Sequence, residues 1–286
     1  MSGIFLQRTM KKVAIQGIAG SFHEIAARNF FGEDIEIIPC LTFKEIFEQV
    51  TPENDYYAIM AIENTIAGSL LQNHHLLSNS ELQIIGEYKL RIEHSLVALP
   101  NQSIDDIKEV HSHPIALMQC EEFLAQHKAM KAVESEDTAF SAKEIAENNL
   151  KGQAAICGRL AAEIYNLAVL ADGIETNKRN FTRFLVITNS ENAKKWNVEN
   201  ETNKASLMLT VPHEEGSLSK ILTIFSFYHI NLSKIQSLPI IGKEWEYRFY
   251  ITLEYDNYTR YQQALSAIKP FANEFKNLGE YKAFTA

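Results

Sequence analysis

Residues 12–62 read KVAIQGIAGSFHEIAARNFFGEDIEIIPCLTFKEIFEQVTPENDYYAIMAI. Short β-branched runs alternate here with helical patterns: Val13-Ala14-Ile15, a helix from about Ser21, Ile35-Glu36-Ile37-Ile38, a helix from Thr42, then Tyr57 to Ile62. That rhythm predicts a mostly parallel α/β sheet. Both helix starts are signed by a capping box, Ser21-x-x-Glu24 and Thr42-x-x-Glu45, in which side chains satisfy the orphan N–H groups of the first turn.

After an extended stretch, Gln83 to Leu99, the rhythm resumes from Glu109 through Ile156 and returns to a strand at Phe184-Leu185-Val186-Ile187. An excursion and return predicts two lobes within 11–189, one from about 11–95 and 178–189, the other from about 96–177. A small ligand is expected in the cleft. Residues 190–204 are polar and without period, and read as a linker. In 205–286, Leu218, Ile221, Leu222 and Phe225 form one helix face and Tyr261, Ala264, Leu265 and Ile268 another. Trp245, Tyr247, Phe249, Ile251 and Leu253 alternate with Glu246, Arg248, Tyr250 and Thr252, as in a half-buried strand. The predicted order is βαββαβ, a ferredoxin-like domain.

The 286 residues, 46% apolar and 22% charged, have the composition of a globular chain of two domains. A net charge of -9 with no Lys/Arg-dense block excludes phosphate-backbone binding and leaves small molecules as the expected partners. Cys40, Cys120 and Cys157 are too scattered for a disulfide framework and read as buried thiols of a reducing compartment. The N-terminus, MSGIFLQRTMKK, puts its apolar residues before its charges, the reverse of a signal peptide, and no apolar run reaches membrane-spanning length. The cytoplasm is the expected location.

Four segments carry polar residues at strand ends. The turn Gly17-Ile18-Ala19-Gly20-Ser21 offers N–H groups and a helix dipole to an anion, or simply starts a helix tightly. Glu63-Asn64-Thr65 ends an apolar strand, where ligands bind in open α/β sheets, or caps a helix. His111-Ser112-His113-Pro114 opens a helix bearing Gln119, and the Ser112 hydroxyl and Gln119 amide suit a ligand oxygen. Neither His111 with His113 nor His74 with His75 has further ligands at metal spacing, so no metal is predicted. Asn177 to Phe184 is a basic stretch running into the returning strand, which places Thr182 and Arg183 at the cleft or in a solvated loop. Diagnostic spacings for a nucleophile elbow, phosphate loop or acidic metal cluster are missing, and no cofactor is predicted.

Taken in order, these segments resemble the prephenate dehydratase family from Lys12 to about Leu253. The match comprises Gly17-x-x-Gly20-Ser21-Phe22, Ile62-Glu63-Asn64-Thr65 with Gly68-Ser69, Gly86-Glu87, Ser112-His113-Pro114 with Gln119-Cys120, and Asn180-Phe181-Thr182-Arg183-Phe184. Glu215-Gly216-Ser217-Leu218 and Gln236-Ser237-Leu238-Pro239 resemble the ligand motifs of that family's ACT domain. Ile18, His23 and Ile115 depart from the family pattern, as do Gln236 and Leu238.

The resemblance implies a catalytic part like type II periplasmic binding proteins, an ACT domain that pairs with a second copy, and decarboxylative dehydration of prephenate to phenylpyruvate without a cofactor. It implies that Thr182 assists the leaving hydroxyl and that Arg183 holds a carboxylate or pins its strand. Asn64, Ser112 and Gln119 would orient the substrate, with Asn180, Thr65 and the N–H groups of Gly20 and Ser21 in the binding site. Gly216, Ser217, Leu218, Gln236, Ser237, Leu238 and Pro239 would bind phenylalanine in a homodimer or homotetramer. The same residues also allow an arogenate dehydratase or a non-catalytic two-lobed sensor.

Overall fold

A computed structural model describes residues 10–199 and 201–285; the reading of residues 1–9 above lies outside them. The chain forms β1 (Lys11–Gln16), α1 (Phe22–Phe31), β2 (Ile35–Cys40), α2 (Phe43–Gln49), β3 (Tyr56–Asn64), β4 (Gly68–Ser69), α3 (Leu71–Ser78), β5 (Gln83–Arg91) and β6 (Ser95–Ala98). Next come β7 (Glu109–Ser112), α4 (Pro114–Gln119), α5 (Glu121–Gln126), β8 (Lys131–Glu134), α6 (Thr138–Glu147), β9 (Gln153–Cys157), α7 (Arg159–Ile164), β10 (Ala168–Ala171) and β11 (Phe181–Thr188). The remainder is α8 (Ser190–Glu199), β12 (Lys204–Thr210), α9 (Ser217–Phe227), β13 (Asn231–Pro239), β14 (Tyr247–Glu254), α10 (Tyr258–Ile268) and β15 (Glu274–Tyr281). Among the described residues no helix is long and apolar enough to cross a membrane.

The described residues form two compact units, one of 10–49, 55–69 and 88–184, the other of 50–54, 70–87, 185–199 and 201–285. One sheet has the order β2-β1-β3-β11-β5, with β4 beside β3, and a second has the order β10-β6-β9-β7-β8. In the first, β1 runs parallel to both β2 and β3. The second is mixed: β7 is parallel to β8 and β9, whereas β6 is antiparallel to β9 and β10. The antiparallel strands β6 and β10 are those by which the chain enters and leaves this sheet. Its residues divide by period two. Leu96, Ala98, Ala154 and Ile156 join one core and Val97, Ala155 and Cys157 another, so helices cover both faces.

Both predicted caps are present, with the carboxylate arm of each box shifted by one residue. Ser21 Oγ accepts the Glu24 N–H at 3.3 Å and Thr42 Oγ1 the Glu45 N–H at 3.2 Å, while each carboxylate reaches back to the N–H one residue before the cap. Gly20 is fixed by sterics as well: with φ +88° it lies where a Cβ would come within 2.7 Å of Ala161 Cα in α7. All three cysteines are buried, and burial pushes their thiols up, Cys40 to about 11 and Cys120 and Cys157 to about 12.

In the second unit the sheet order is β13-β14-β12-β15, all antiparallel, with the order βαββαβ along the chain. Ala205, Leu207, Leu209, Ile251 and Leu253 pack under α9 and α10. The opposite face is covered too, so β14 is not half-buried as its alternation suggests. Tyr250 is only 4% exposed and gives its hydroxyl to Ser78 Oγ at 2.9 Å, and Lys276 Nζ reaches the Ser78 carbonyl at 3.3 Å. Tyr and Thr at outward positions look polar in sequence yet bury readily once α3 lies over them. Trp245, expected in this strand, stands before it and is 72% exposed.

Residues 190–204 also differ from expectation, since 190–199 form α8. Asn189 Oδ1 caps it by accepting from Glu191 N (3.1 Å) and Asn192 N (2.9 Å), and Asn192 and Ala193 are buried. A short polar helix held by a cap has no apolar period to betray it.

At the first residue of β12, Lys204 is buried with its Nζ 2.8 Å from Glu87 Oε1 and 3.1 Å from Glu254 Oε1. Glu87 Oε1 also accepts the Phe284 N–H at 3.0 Å. Gly86-Glu87, prominent in the sequence, therefore serves the second unit.

On α1, His23 accepts the Ala61 N–H at 3.4 Å and meets the Phe184 ring edge-on, 5.0 Å between centroids. Burial lowers its pKa to about 3. Between about pH 6.5 and 3 the unfolded chain therefore binds a proton that the native His23 refuses, and stability falls with pH by about 1.4 kcal/mol per unit from this group. We expect urea unfolding at pH 7, 6 and 5 to show that decline, and His23→Gln, which keeps an acceptor, to flatten the slope by about one proton. Equal slopes in the two proteins would refute it.

Candidate active site

The first unit gathers the polar residues where the chain passes between its sheets. Asn64, at the end of β3, accepts the N–H groups of Ile66 (2.9 Å) and Ala67 (2.8 Å) on its Oδ1. Backbone N–H groups only donate, so this fixes the amide's orientation and makes Nδ2 the donor. Asn64 Nδ2 reaches Asn180 Oδ1 at 2.8 Å, the Phe181 carbonyl at 3.2 Å and Thr182 Oγ1 at 3.0 Å. Asn180, fully buried, must then donate through Nδ2, which lies 2.9 Å from Gln119 Oε1. Residues separated by 61 to 118 positions thus form one ordered chain of amides.

Two donors remain unspent at its end. The Thr182 hydroxyl receives a hydrogen bond, and its own proton has no acceptor among the described residues. The Gln119 amide NH2 likewise has no partner among them. Thr182 is 9% exposed and Gln119 6%, so both sit at reduced dielectric, where a hydrogen bond to a charged oxygen is strong.

Other predicted residues lie differently. The N–H groups of Gly20 and Ser21, expected at a substrate carboxylate, are bonded within the chain instead. Gly20 N–H is taken by Glu24 Oε2 at 2.8 Å and Ser21 N–H by the Ile18 carbonyl at 3.1 Å. Thr65 is spent as well: its hydroxyl donates to the Arg179 carbonyl and accepts from Phe181 N–H, both at 2.9 Å, clamping the turn after β3 to the start of β11. Ser112 is fully buried and its hydroxyl donates to the Ile156 carbonyl at 2.6 Å, outside the amide chain. Arg183 turns its guanidinium to Glu63, with Nη1 3.1 Å from Oε1.

His94 is a member of the site that the sequence reading missed. It sits between β5 and β6, buried, with Nε2 2.9 Å from Gln119 Oε1 and its ring edge-on to Phe22. Its backbone N–H donates to buried Glu175 at 3.0 Å. Burial holds its imidazole below the usual histidine range. Glu93-His94-Ser95 belongs to no recognisable spacing; the only signal was a histidine inside an extended stretch that leads into the second sheet.

A family model described as prephenate dehydratase matches residues 13–192, more than half of the chain. The chain belongs to the prephenate dehydratase family. It is 34% identical over 284 residues to the chloroplastic arogenate dehydratase/prephenate dehydratase 2 of Arabidopsis thaliana, covering 96% of this chain and 73% of that one. It spans about two thirds of the length of two arogenate dehydratases of the same plant, 66% and 67%. A solved prephenate dehydratase from Arthrobacter aurescens in complex with L-Phe matches with a TM-score of 0.83 and 27% identity, over 95% of this chain and 90% of that one. A protein described as a novel type of quorum-quenching acylase matches with a TM-score of 0.85 and 26% identity, over 96% and 98%. In this dehydratase-family chain, Asn64, Gln119, Asn180 and Thr182 share one network, and His94 joins them.

Proposed function

We propose that the protein is a cytoplasmic prephenate dehydratase that converts prephenate to phenylpyruvate. The observation that carries this reading is Thr182: its lone pair is held by Asn64, and its proton is left to be given. Prephenate bears a ring carboxylate and, on the opposite ring carbon, a hydroxyl. Loss of carbon dioxide from one end and hydroxide from the other makes the ring aromatic, which drives the reaction. A threonine is a weak acid, so its contribution is a preorganised hydrogen bond to the departing oxygen, with Gln119 NH2 as a second donor.

The polar inventory supports prephenate over arogenate as substrate. Arogenate replaces the side-chain ketone by an ammonium group, which wants a carboxylate. Here the network ends in amide and hydroxyl donors, and Glu63 is already paired with Arg183.

Residues 205–286 act in this reading as a phenylalanine-sensing ACT domain in a homo-oligomer. Its support is a cavity of about 150 Å3 lined by Val211, Pro212, Ser217, Leu218, Tyr247 and Phe249 among others. Gly216, at φ +77°, opens α9 with no atom within 4 Å of where a Cβ would stand, so backbone can approach a ligand there. Gln236, Ser237, Leu238 and Pro239 lie on the edge strand β13 and do not line this cavity, so any contact from them is made elsewhere.

Purified protein incubated with each substrate is expected to release phenylpyruvate from prephenate at least about tenfold more efficiently than phenylalanine from arogenate. The reverse order would make it an arogenate dehydratase, and turnover of neither would make it a binder. Phenylalanine added to the same assay, and titrated by calorimetry, should inhibit and give heat. Neither effect at millimolar concentration would leave the domain to assembly alone.

A further inference from the structure

We infer that His94 is a positioning residue which, as the Nε2–H tautomer, donates to Gln119 Oε1 and so aims the Gln119 amide NH2 at the substrate. This deepens the dehydratase reading and rests on it. The inference follows from which groups can donate. Asn64 is oriented by two backbone N–H groups, Asn180 is oriented by Asn64, and Asn180 Nδ2 then makes Gln119 Oε1 an acceptor. The other group facing that oxygen is His94 Nε2 at 2.9 Å, which must therefore carry a proton. A neutral imidazole has one proton, so Nδ1 is bare, and Nδ1 is indeed a buried atom without a hydrogen-bond partner.

An amide with a single donor on its oxygen can turn over; one with two cannot without leaving two buried donors unsatisfied. His94 supplies the second. The effect is directional: a polar chain beginning at the N–H groups of Ile66 and Ala67 ends with hydrogens, not lone pairs, at Gln119 and Thr182, as a substrate rich in oxygen requires.

The test couples kinetics to spectroscopy. His94→Phe should lower kcat about tenfold, the loss of one oriented hydrogen bond, and His94→Gln, which can place a donor near the Nε2 position, should recover most of it. In a Gln119→Ala background His94→Phe should cost nothing further, because the group it aims is gone. Wild-type turnover in folded His94→Phe, or effects that multiply with Gln119→Ala, would overturn the assignment. Independently, 15N-histidine NMR at pH 7, with His94→Gln to identify the resonance, should show a protonated Nε2 and a bare Nδ1, and the opposite tautomer would also overturn it. If the wild-type protein turns over neither substrate, the dehydratase reading fails while the NMR arm still decides the His94–Gln119 bond.

Discussion

Thr182→Ala is expected to fold normally and lose turnover about 10²-fold or more, the range over which positioned acids and preorganised donors act. Among the described residues the hydroxyl makes one hydrogen bond, as acceptor from Asn64 Nδ2 at 3.0 Å, so deleting it leaves one donor of an amide that has two other acceptors. The structural cost is therefore small. The kinetic cost is large if the uncommitted proton meets the departing hydroxide. Thr182→Ser keeps the donor and should retain more activity. Initial rates beside far-UV circular dichroism and urea midpoints separate the two contributions. Near-normal turnover in a folded alanine variant would remove Thr182 from the mechanism.

Lys204→Met is expected to destabilise the protein by about 3–5 kcal/mol, because it removes the cation beside a buried carboxylate. Glu87 has no exposed side-chain surface and faces Lys204 Nζ at 2.8 Å, whereas the side chain of Glu254, at 3.1 Å, is 40% exposed and can rehydrate. The penalty thus falls on Glu87, which also accepts the Phe284 N–H. The double variant Lys204→Met with Glu87→Gln should regain most of the loss, since a neutral amide is far cheaper to bury than a charge. Urea midpoints at constant slope measure both steps. A double variant as unstable as the sum of the singles would show that packing, not charge, sets the cost.

Periodicity made the fold legible. The α/β alternation of 12–62, both capping boxes and the βαββαβ order are all local signals written in neighbouring residues. What escaped depended on partners brought from afar. Nothing near Tyr250 announces that Ser78 will cover it, and nothing near Ser190 marks a helix capped by one asparagine. At the site, the motifs drew attention to Asn64, Gln119, Asn180 and Thr182, but not to which of their hydrogens are used. Gly20, Ser21 and Thr65 looked available because a sequence shows donors without their acceptors. His94 was invisible for the complementary reason: its chemistry resides in one contact with a residue 25 positions away.

The strand order β3-β11-β5 has a bearing on biosynthesis. β11 lies between β3 and β5, yet it is made last, after every strand of the second sheet has been synthesised. At about 5–20 residues per second, the roughly 100 residues from the end of β5 to the end of β11 take on the order of 5–20 s to translate. Throughout that interval β3 and β5 lack the strand that pairs with both of them in the finished sheet. Unpaired edges recruit other strands, so on a crowded polysome association between neighbouring chains competes with arrival of the segment that carries Thr182.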